Sequence, residues 1–395
     1  MADTRDVVVL SGVRTPIGDY GGGLKSFLPN DLGALVVAEA IKRSKVDPGQ
    51  IGQGVIGNVI HTQAKDMYVS RLSCVNGGMS HESGALTVNR LCGSGLQAIV
   101  SASQMIMLGD TDFAIGGGVE SMSNAGYLAP AARWGARMGD TALLDMMVGA
   151  LTDPFDTVHM GVTAENVAEK WGIARDEQDE FAVESHRRAA AAIAAGHFKE
   201  QILPVEVKSR KGVTVVDTDE HVRGDASVEG MGKLRAAFKR DGSVTPGNAS
   251  GINDGGAAVV LADAATAEKQ GLQPLARLVS YGISGVDPKI MGEGPIPAVK
   301  LAMQRAGLKV SDMDVVEANE AFAAQALAVC KGLDFDTAKT NPNGGAIALG
   351  HPIGATGAIV TVKALYELQR IGGRYALVTM CIGGGQGIAA IFERM

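Results

Sequence analysis

The sequence is poor in the residues that build disulfide frameworks and metal sites. It has four cysteines in 395 residues, at positions 74, 92, 330 and 381, and no two of them form a Cys-x-x-Cys pair. This spacing argues against a zinc ribbon and a disulfide framework, and it fits a reducing compartment. No ligand spacing relates the histidines at positions 61, 81, 186, 197 and 221 to one another or to cysteine, so we expect no metal and structural or exposed histidines.

Long apolar runs and excess positive charge are also missing. No uninterrupted apolar run approaches the length of a membrane span, and the first residues, Met-Ala-Asp-Thr-Arg-Asp, contain no apolar signal-peptide core. The net charge is −7, from 36 Lys and Arg against 43 Asp and Glu, which disfavours nucleic acid as a partner. We therefore expect a cytoplasmic protein that binds neither membranes nor nucleic acid.

Small and apolar residues dominate the composition instead. Apolar residues make up 46% of the chain and aromatic residues only 4%, while glycine occurs 53 times. This mixture predicts closely packed α/β layers with many tight turns rather than a β-sandwich. The length predicts about two or three domains.

The pattern of apolar residues predicts alternating strands and helices in the first third. Strands are predicted over 6–10, 55–59 and 112–115, the last ending in Gly116-Gly117-Gly118, and a helix capped by Asp31 over 32–43. From about 120 to 248, Met, Arg and acidic residues increase and an amphipathic helix is predicted over 175–195. This shift indicates an inserted domain. The strand pattern then returns, with a strand over 257–261.

The last third repeats the first at a constant offset. Three pairs of similar stretches are each 262 positions apart: those around Arg43 and Arg305, Asp112 and Arg374, and Gly95 and Gly357. Two copies of one βαβ-rich unit would pack with pseudo-two-fold symmetry and bring equivalent turns together near the centre. We predict an N-terminal half over 1–119 that is completed by 249–272, an inserted loop domain over 120–248, and a C-terminal half over 273–395.

The stretch Asn89 to Ala98, with the sequence Asn-Arg-Leu-Cys-Gly-Ser-Gly-Leu-Gln-Ala, is typical of a strand that enters a helix through a glycine-rich turn. Free N–H groups and the helix dipole favour negative charge there, so the Cys92 thiolate would be stabilised and could act as a nucleophile. The glycines on either side of Ser94 would let a substrate approach the backbone closely. A small buried cysteine in a tight turn is the alternative.

Three further turns in the last third carry side chains suited to catalysis. Asn319 follows a predicted strand, where it could cap a helix or hold a water or a polarised carbonyl. His351 lies in a glycine-rich turn and could act as a general base near neutral pH. Cys381 ends a strand before Ile-Gly-Gly-Gly-Gln-Gly, whose N–H groups could bind an oxyanion. A phosphate-binding loop is the alternative, although the Walker and dinucleotide signatures are missing.

Together these four stretches resemble the active-site motifs of the thiolases. The motifs stand in the family's order as Cys92-Gly-Ser-Gly, Asn319-Glu-Ala-Phe, Gly350-His351-Pro-Ile-Gly and Cys381-Ile-Gly-Gly-Gly-Gln-Gly, and the likeness runs from about Val7 to the C-terminus. Within the family, the stretches 159–166, 219–223 and 247–254 are most similar to bacterial short-chain β-ketothiolases and acetyl-CoA acetyltransferases. The resemblance implies a layered αβαβα core of two duplicated halves with an inserted loop domain.

The resemblance also implies an acyltransferase that joins acyl-CoA and acetyl-CoA reversibly into a 3-ketoacyl-CoA. Cys92 would carry the acyl group, His351 would take the thiol proton, and Cys381 would remove the α-proton of acetyl-CoA. Asn319 would hold a water near the enolate oxygen. The N–H groups of Cys92 and Gly383 would bind the tetrahedral oxyanion.

The partners implied by the resemblance are CoA and acyl-CoA, with no permanently bound cofactor. Arg223 would contact the nucleotide end of CoA, although a solvated loop charge is the alternative, and Ser250 would contact the pantetheine. His159, Met160, Leu151 and Met291 would surround the acyl end, with chains of about four to six carbons accepted.

The family's assembly and chemistry leave further alternatives open. The loop 127–140, with Trp134, would join dimers into a homotetramer, or it would be an intramolecular lid. A decarboxylating condensing enzyme of the same fold would carry a second histidine where this chain has Cys381. A non-catalytic CoA- or lipid-binding member would not be expected to keep all four motifs.

Overall fold

A computed structural model describes residues 5–210 and 212–395. The strands of this part of the chain are β1 Val7–Arg14, β2 Gly18–Asp19, β3 Ile51–Gly57, β4 Gly84–Val88, β5 Phe113–Ser121, β6 Tyr127–Leu128, β7 Leu144–Asp145, β8 Val205–Ser209, β9 Gly212–Val216, β10 Asn253–Asp263, β11 Ala276–Gly285, β12 Val315–Ala318, β13 Tyr375–Ile382 and β14 Gln386–Arg394. The α-helices are α1 Pro29–Ser44, α2 Val69–Asn76, α3 Ser94–Met107, α4 Met146–Ala150, α5 Met160–Trp171, α6 Arg175–Ala195, α7 Val228–Gly232, α8 Ala264–Lys269, α9 Pro295–Ala306, α10 Ala323–Leu333, α11 Ala346–Leu349 and α12 Ile353–Ile371.

One ten-stranded sheet joins the two halves of the chain. Its order is β12-β13-β14-β11-β1-β10-β5-β3-β4, with β2 attached to β10. The two central strands, β11 and β1, pair antiparallel, with Val8 opposite Arg277 and Val9 opposite Ala276. Next to β1 lie β10, β5 and β3, in that order. Next to β11, on the other side, lie β14, β13 and β12 in the equivalent positions. The predicted duplication is therefore confirmed, and β5 and β13 begin at residues that are 262 positions apart.

The helices form layers inside and outside this sheet. Helices α3 and α12 pack against each other and contact strands of both halves, α3 on β5 and β14 and α12 on β10 and β13. Helices α1 and α2 cover the outer face of the N-terminal half, and α9 covers that of the C-terminal half. The predicted αβαβα layering is confirmed.

The contact between α3 and α12 depends on a pair of glycines. A Cβ atom on Gly95 would lie 2.6 Å from the backbone nitrogen of Ala358, and one on Gly357 would overlap the backbone nitrogen of Leu96. Gly95 and Gly357 occupy equivalent positions in the two halves. The equivalent turns thus meet at the centre, as the repeat predicts.

Some predicted element boundaries are wrong. Strand β5 runs through Gly116–Gly118 rather than ending there, because these glycines let the inner helices lie directly on the strand: a Cβ on Gly118 would come within 3.0 Å of the Cα atoms of Gly95 and Ala355. Helix α1 begins at Pro29, and Asp31 accepts a hydrogen bond from the Leu28 N–H from within the first turn. Helix α6 has the predicted bounds.

Between Ser121 and residue 248, the described chain contributes no strand to the large sheet. It forms the short pairs β6–β7 and β8–β9 and the helices α4 to α7. A fully buried ion pair connects it to the core: the Arg14 guanidinium donates to both carboxylate oxygens of Asp219, at 2.7 and 2.9 Å. Within residues 5–210 and 212–395, no helix is both long enough and apolar enough to cross a membrane.

Candidate active site

A large cavity lies where both halves and the inserted segment meet. Its volume is about 540 Å³. Of the predicted site residues, it is lined by Cys92, Leu151, His159, Met160, Arg223, Ser250, Met291, His351 and Gly383. Residues predicted from distant parts of the sequence therefore share one cavity.

The turn that carries Cys92 is held by the side chain of Ser94. Its hydroxyl accepts a hydrogen bond from the Arg90 N–H at 2.8 Å and donates to the Leu91 carbonyl at 2.7 Å. Leu91 has a φ of 43°, in the left-handed region, and its N–H donates to the Asn89 side chain. This turn places Cys92 just before α3, in the wall of the cavity.

The neighbouring glycines do not face a substrate. A Cβ on Gly93 would lie 2.6 Å from Cδ1 of Ile382, and Gly95 packs against α12. The prediction that these glycines admit a substrate is wrong, because protein atoms occupy the space beside both.

Burial opposes ionisation of the Cys92 thiol. Burial raises its pKa to about 11, and the Glu120 carboxylate raises the pKa further, although the N–H groups of Gly383 and of Cys92 itself donate toward Sγ. The prediction of a stabilised thiolate is therefore wrong, because desolvation outweighs the N–H donors.

Cys381 lies directly behind the cavity wall. It is fully buried near the end of β13 and belongs to one apolar cluster with Met160, Met291 and Phe322, three residues that line the cavity. Burial raises the pKa of its thiol, and the proximity of Cys92 adds to this shift. The two thiols are thus electrostatic neighbours.

His351 is a buried imidazole that is hydrogen-bonded at Nδ1. Its Nδ1 lies 2.7 Å from the Thr356 hydroxyl, which donates its proton to the Pro352 carbonyl at 3.0 Å. When that hydroxyl donates to Pro352, its oxygen accepts from Nδ1–H, and Nε2 then carries the lone pair. Nε2 is buried and has no hydrogen-bond partner among the described residues, and burial lowers the pKa of His351 to about 4. His351 can therefore accept a proton at neutral pH.

Asn319 does not line the main cavity. It is 2% exposed, and both polar atoms of its side chain lack a partner within the described part of the chain. It is not a helix cap, since α10 begins at Ala323 with Phe322 in the cap position. Asn319 instead lines a second, small cavity of about 10 Å³ with Thr356, which places it behind His351.

Several residues of the main cavity were not predicted. The His159 ring stacks on Phe238, with ring centroids 4.6 Å apart, and Phe238 meets Phe322 edge-on. His221, which we expected to be structural or exposed, lines the cavity and pairs through Nδ1 with Asp19 at 2.5 Å. Phe322 and His221 lie inside the sequence stretches that carry the family resemblance, but no pattern of residue spacing identifies them as cavity residues.

The cavity extends along the inserted segment. A neighbouring cavity of about 450 Å³ shares Arg223, His221 and Pro246 with it and is also lined by His186 and Ser227. Together the two cavities can hold a ligand much longer than an acyl group. Arg223 lies where they join and is a positive charge for an anionic part of such a ligand.

In the part of the chain that the structure describes, no group of three or more His, Cys, Asp or Glu side chains is placed to hold a metal ion. The polar groups of the cavity include the Cys92 thiol, the His351 imidazole and the N–H donors of Cys92 and Gly383. This set can form and break a thioester and stabilise an oxyanion.

Two family models match nearly the whole chain. "Thiolase, N-terminal domain" matches residues 7–265, and "Thiolase, C-terminal domain" matches residues 272–394. The chain belongs to the thiolase family. The predicted family membership is confirmed, and this thiolase is an enzyme of the acyltransferase class.

Relatives match this thiolase over its full length. It is 67% identical over 393 residues to beta-ketothiolase BktB of Cupriavidus necator, covering 99% of the chain and 100% of the relative. It is 47% identical to the acetyl-CoA acetyltransferase of Paracoccus denitrificans, covering 98% and 99%. Human mitochondrial 3-ketoacyl-CoA thiolase, solved in complex with CoA, superposes with a TM-score of 0.97 at 45% identity, covering 100% of this chain and 99% of that one.

Proposed function

We propose that this thiolase catalyses the reversible reaction of acyl-CoA with acetyl-CoA to give 3-ketoacyl-CoA and free CoA, through an acyl group on Cys92. The observation that carries the proposal is the common cavity of Cys92, His351 and Gly383, with Cys381 directly behind them. The relatives named beta-ketothiolase and acetyl-CoA acetyltransferase support the same reaction.

In the first half-reaction, Cys92 Sγ attacks the carbonyl carbon of acyl-CoA. The thiol proton moves to Nε2 of His351 and then to the leaving CoA sulfur, so CoA departs as a thiol. One thioester is broken and one is formed, which keeps the step nearly balanced in energy. The N–H groups of Cys92 and Gly383 would bind the oxyanion of the tetrahedral intermediate.

In the second half-reaction, Cys381 would first pass its thiol proton to Nε2 of His351 and then, as a thiolate, remove a methyl proton from acetyl-CoA. The resulting enolate attacks the acyl carbon and expels the Cys92 thiolate, which recovers a proton from His351. Asn319, behind His351, would act on the enolate oxygen through a bound water. In the reverse direction, CoA cleaves the 3-ketoacyl-CoA.

The CoA chain would lie along the two connected cavities. Arg223 would bind the nucleotide end, Ser250 the pantetheine, and His159 with Met160 the region next to the thioester. Leu151, Met160 and Met291 would form the acyl pocket. Methionine side chains adapt to ligands of different shape, so we propose acyl chains of about four to six carbons. Rates with 3-ketoacyl-CoA substrates of increasing length test this range, and a maximum beyond it would contradict the proposal.

The remaining features of the proposed enzyme follow from the family likeness. It would need no permanently bound cofactor and would act in the cytoplasm as a homotetramer. The division into residues 1–119 with 249–272, 120–248 and 273–395 would separate two catalytic halves from a segment for CoA binding and assembly.

Thiolysis of acetoacetyl-CoA, followed by loss of its enolate absorbance, tests the function. The wild-type enzyme should cleave the substrate when CoA is added, and Cys92→Ala should be inactive with an unchanged fold. Activity that survives Cys92→Ala would contradict the nucleophile assignment. Release of CO2 from malonyl-CoA would instead indicate a decarboxylating enzyme.

A further inference from the structure

Helix α12 carries a buried lysine close behind the reaction centre. Lys363 is 3% exposed, and its Nζ donates to Oε2 of Glu317 and to the Gly344 carbonyl, each at 2.8 Å. Glu317, on β12, is 1% exposed. Desolvating two charges costs about as much as their attraction returns, so such a pair is weak evidence for a purely stabilising role.

The surroundings of Lys363 are rich in buried carboxyl groups. Glu320 and Glu367 are 2% and 4% exposed, and their charges act on Glu317. Burial and these two neighbours raise the pKa of Glu317, while Lys363 opposes the shift. Lys363 is therefore the basic partner of Glu317 within a cluster of buried acids.

A small cavity connects this lysine to two residues of the reaction centre. The cavity of about 10 Å³ is lined by Lys363, by Asn319 and by Thr356, which binds His351. An ammonium group has three N–H donors, and Lys363 uses two of them on Glu317 and Gly344. A cavity of this size holds one water when two or more polar groups face it.

The Asn319 carboxamide needs such a partner. Its Oδ1 and Nδ2 are buried, and neither atom has a hydrogen-bond partner among residues 5–210 and 212–395. An unpaired buried amide is costly, and without a partner its two orientations differ little in energy. A positively charged donor on one side favours the orientation that turns the oxygen toward it.

We propose that Lys363 is a positioning residue for Asn319: its third N–H binds, through one water in the small cavity, Oδ1 of the carboxamide. Nδ2 is thereby directed away from Lys363. This inference rests on the proposed function, in which Asn319 acts on the enolate oxygen. Lys363 itself touches no substrate.

The test is a double-mutant cycle on steady-state thiolysis of acetoacetyl-CoA. Lys363→Met combined with Glu317→Gln removes both members of the buried ion pair, so neither of these two charges is left without the other. We expect kcat to fall about tenfold or more, as for the loss of a hydrogen bond to a charged group, with KM changed less than about twofold. In an Asn319→Ala background, the same pair of changes should alter kcat less than about twofold. Thr361→Val, a buried change on the same helix outside both cavities, is the matched control and should leave kcat unchanged.

Two kinetic results would overturn the proposal. Either kcat is unchanged in the Lys363→Met/Glu317→Gln enzyme, or it falls by the same factor with and without Asn319. A wild-type enzyme that does not cleave acetoacetyl-CoA would instead contradict the proposed function. A high-resolution crystal structure of the wild-type protein gives a measurement that needs no stable variant. One water within hydrogen-bond distance of both Lys363 Nζ and the Asn319 carboxamide is expected, and a cavity without it would also overturn the proposal.

Discussion

At the scale of single residues, burial favours the uncharged forms of the two thiols and the imidazole in the reaction centre. Burial raises the pKa of Cys92 to about 11 and also raises that of Cys381, while it lowers the pKa of His351 to about 4. All three groups are uncharged at neutral pH. The nucleophile therefore forms only when Cys92 passes its proton to His351 during the attack on the thioester.

This arrangement predicts the pH dependence of acylation. His351 must be unprotonated to accept the thiol proton, so the rate falls only as the pH drops through the pKa of His351. Because burial lowers that pKa to about 4, the second-order rate constant with acetyl-CoA should stay level from roughly pH 8 to pH 5. Rapid-quench measurement of the acyl-enzyme checks this, with enzyme returned to neutral pH as a control for unfolding. A loss of rate centred near the ordinary histidine value of about 6.5 would contradict it.

The Thr356 hydroxyl should set the tautomer of His351. Thr356→Val leaves the buried Nδ1–H unpaired, which costs about 1–3 kcal/mol or can transfer the proton to Nε2. We expect the acylation rate constant to fall roughly tenfold, with CoA affinity unchanged. Thr356→Ser keeps the hydroxyl and should retain most of the rate. Equal rates for the valine and serine variants would show that the hydrogen bond has no such role.

The sequence indicated which residues carry the chemistry but not their charge states. Cys92, His351 and Cys381 stand out because a thiol or imidazole in a glycine-rich turn is chemically distinctive. Their protonation depends on desolvation by residues far away in the chain, so the local helix terminus gave the wrong expectation for Cys92. His221 was not predicted as a site residue, because its partner Asp19 lies about 200 residues away in the sequence.

At the scale of secondary-structure elements, the site depends on how closely α3 and α12 approach. Helix α3 follows Cys92 and α12 follows His351, so their contact fixes the distance between nucleophile and base. Gly95 and Gly357 make this contact at the equivalent position of each helix. The repeat could be read from the sequence, because its offset is constant. The continuation of β5 through Gly116–Gly118 could not be predicted from the sequence. These glycines make room for helices that pack on the strand, and that packing is not visible in the local sequence.

Gly95→Val should therefore damage both stability and activity. The added side chain would meet the backbone of α12, and overpacking of this kind costs about 1–3 kcal/mol. Urea unfolding measures the loss, and the acylation rate should fall in the protein that remains folded. Gly232→Ala is a matched control on α7, where a Cβ meets nothing within 4 Å. A Gly95→Val enzyme as stable and active as wild type would show that the close approach is unimportant.

At the scale of the whole molecule, the segment 127–144 exposes several large apolar side chains that do not line the catalytic cavity. Tyr127, Leu128, Leu143 and Leu144 are each at least half exposed, and Trp134 and Met138 are 87% and 94% exposed. Several exposed large apolar residues within one segment are typical of an association surface. This observation favours an assembly role for the loop over an intramolecular lid.

A charged residue in this loop should dissociate the expected tetramer into dimers. We expect wild-type enzyme to sediment as a tetramer and Trp134→Glu to sediment as a dimer, because a buried unpaired carboxylate is costly. Sedimentation velocity measures the difference. Leu108→Glu, an exposed apolar residue outside the loop, serves as a comparison. Wild-type sedimentation as a dimer, or a Trp134→Glu tetramer, would contradict the predicted role of the loop.

The central claim is that two duplicated halves bring the Cys92 thiol to an acyl-CoA thioester in one shared cavity. Intact-protein and peptide mass spectrometry after brief exposure to acetyl-CoA tests it most directly. The account predicts one added acetyl group per chain, located on the peptide that contains Cys92, absent in Cys92→Ala and removed by free CoA. Acetylation at another residue that CoA reverses, or no acetyl-enzyme at all in an active preparation, would contradict it.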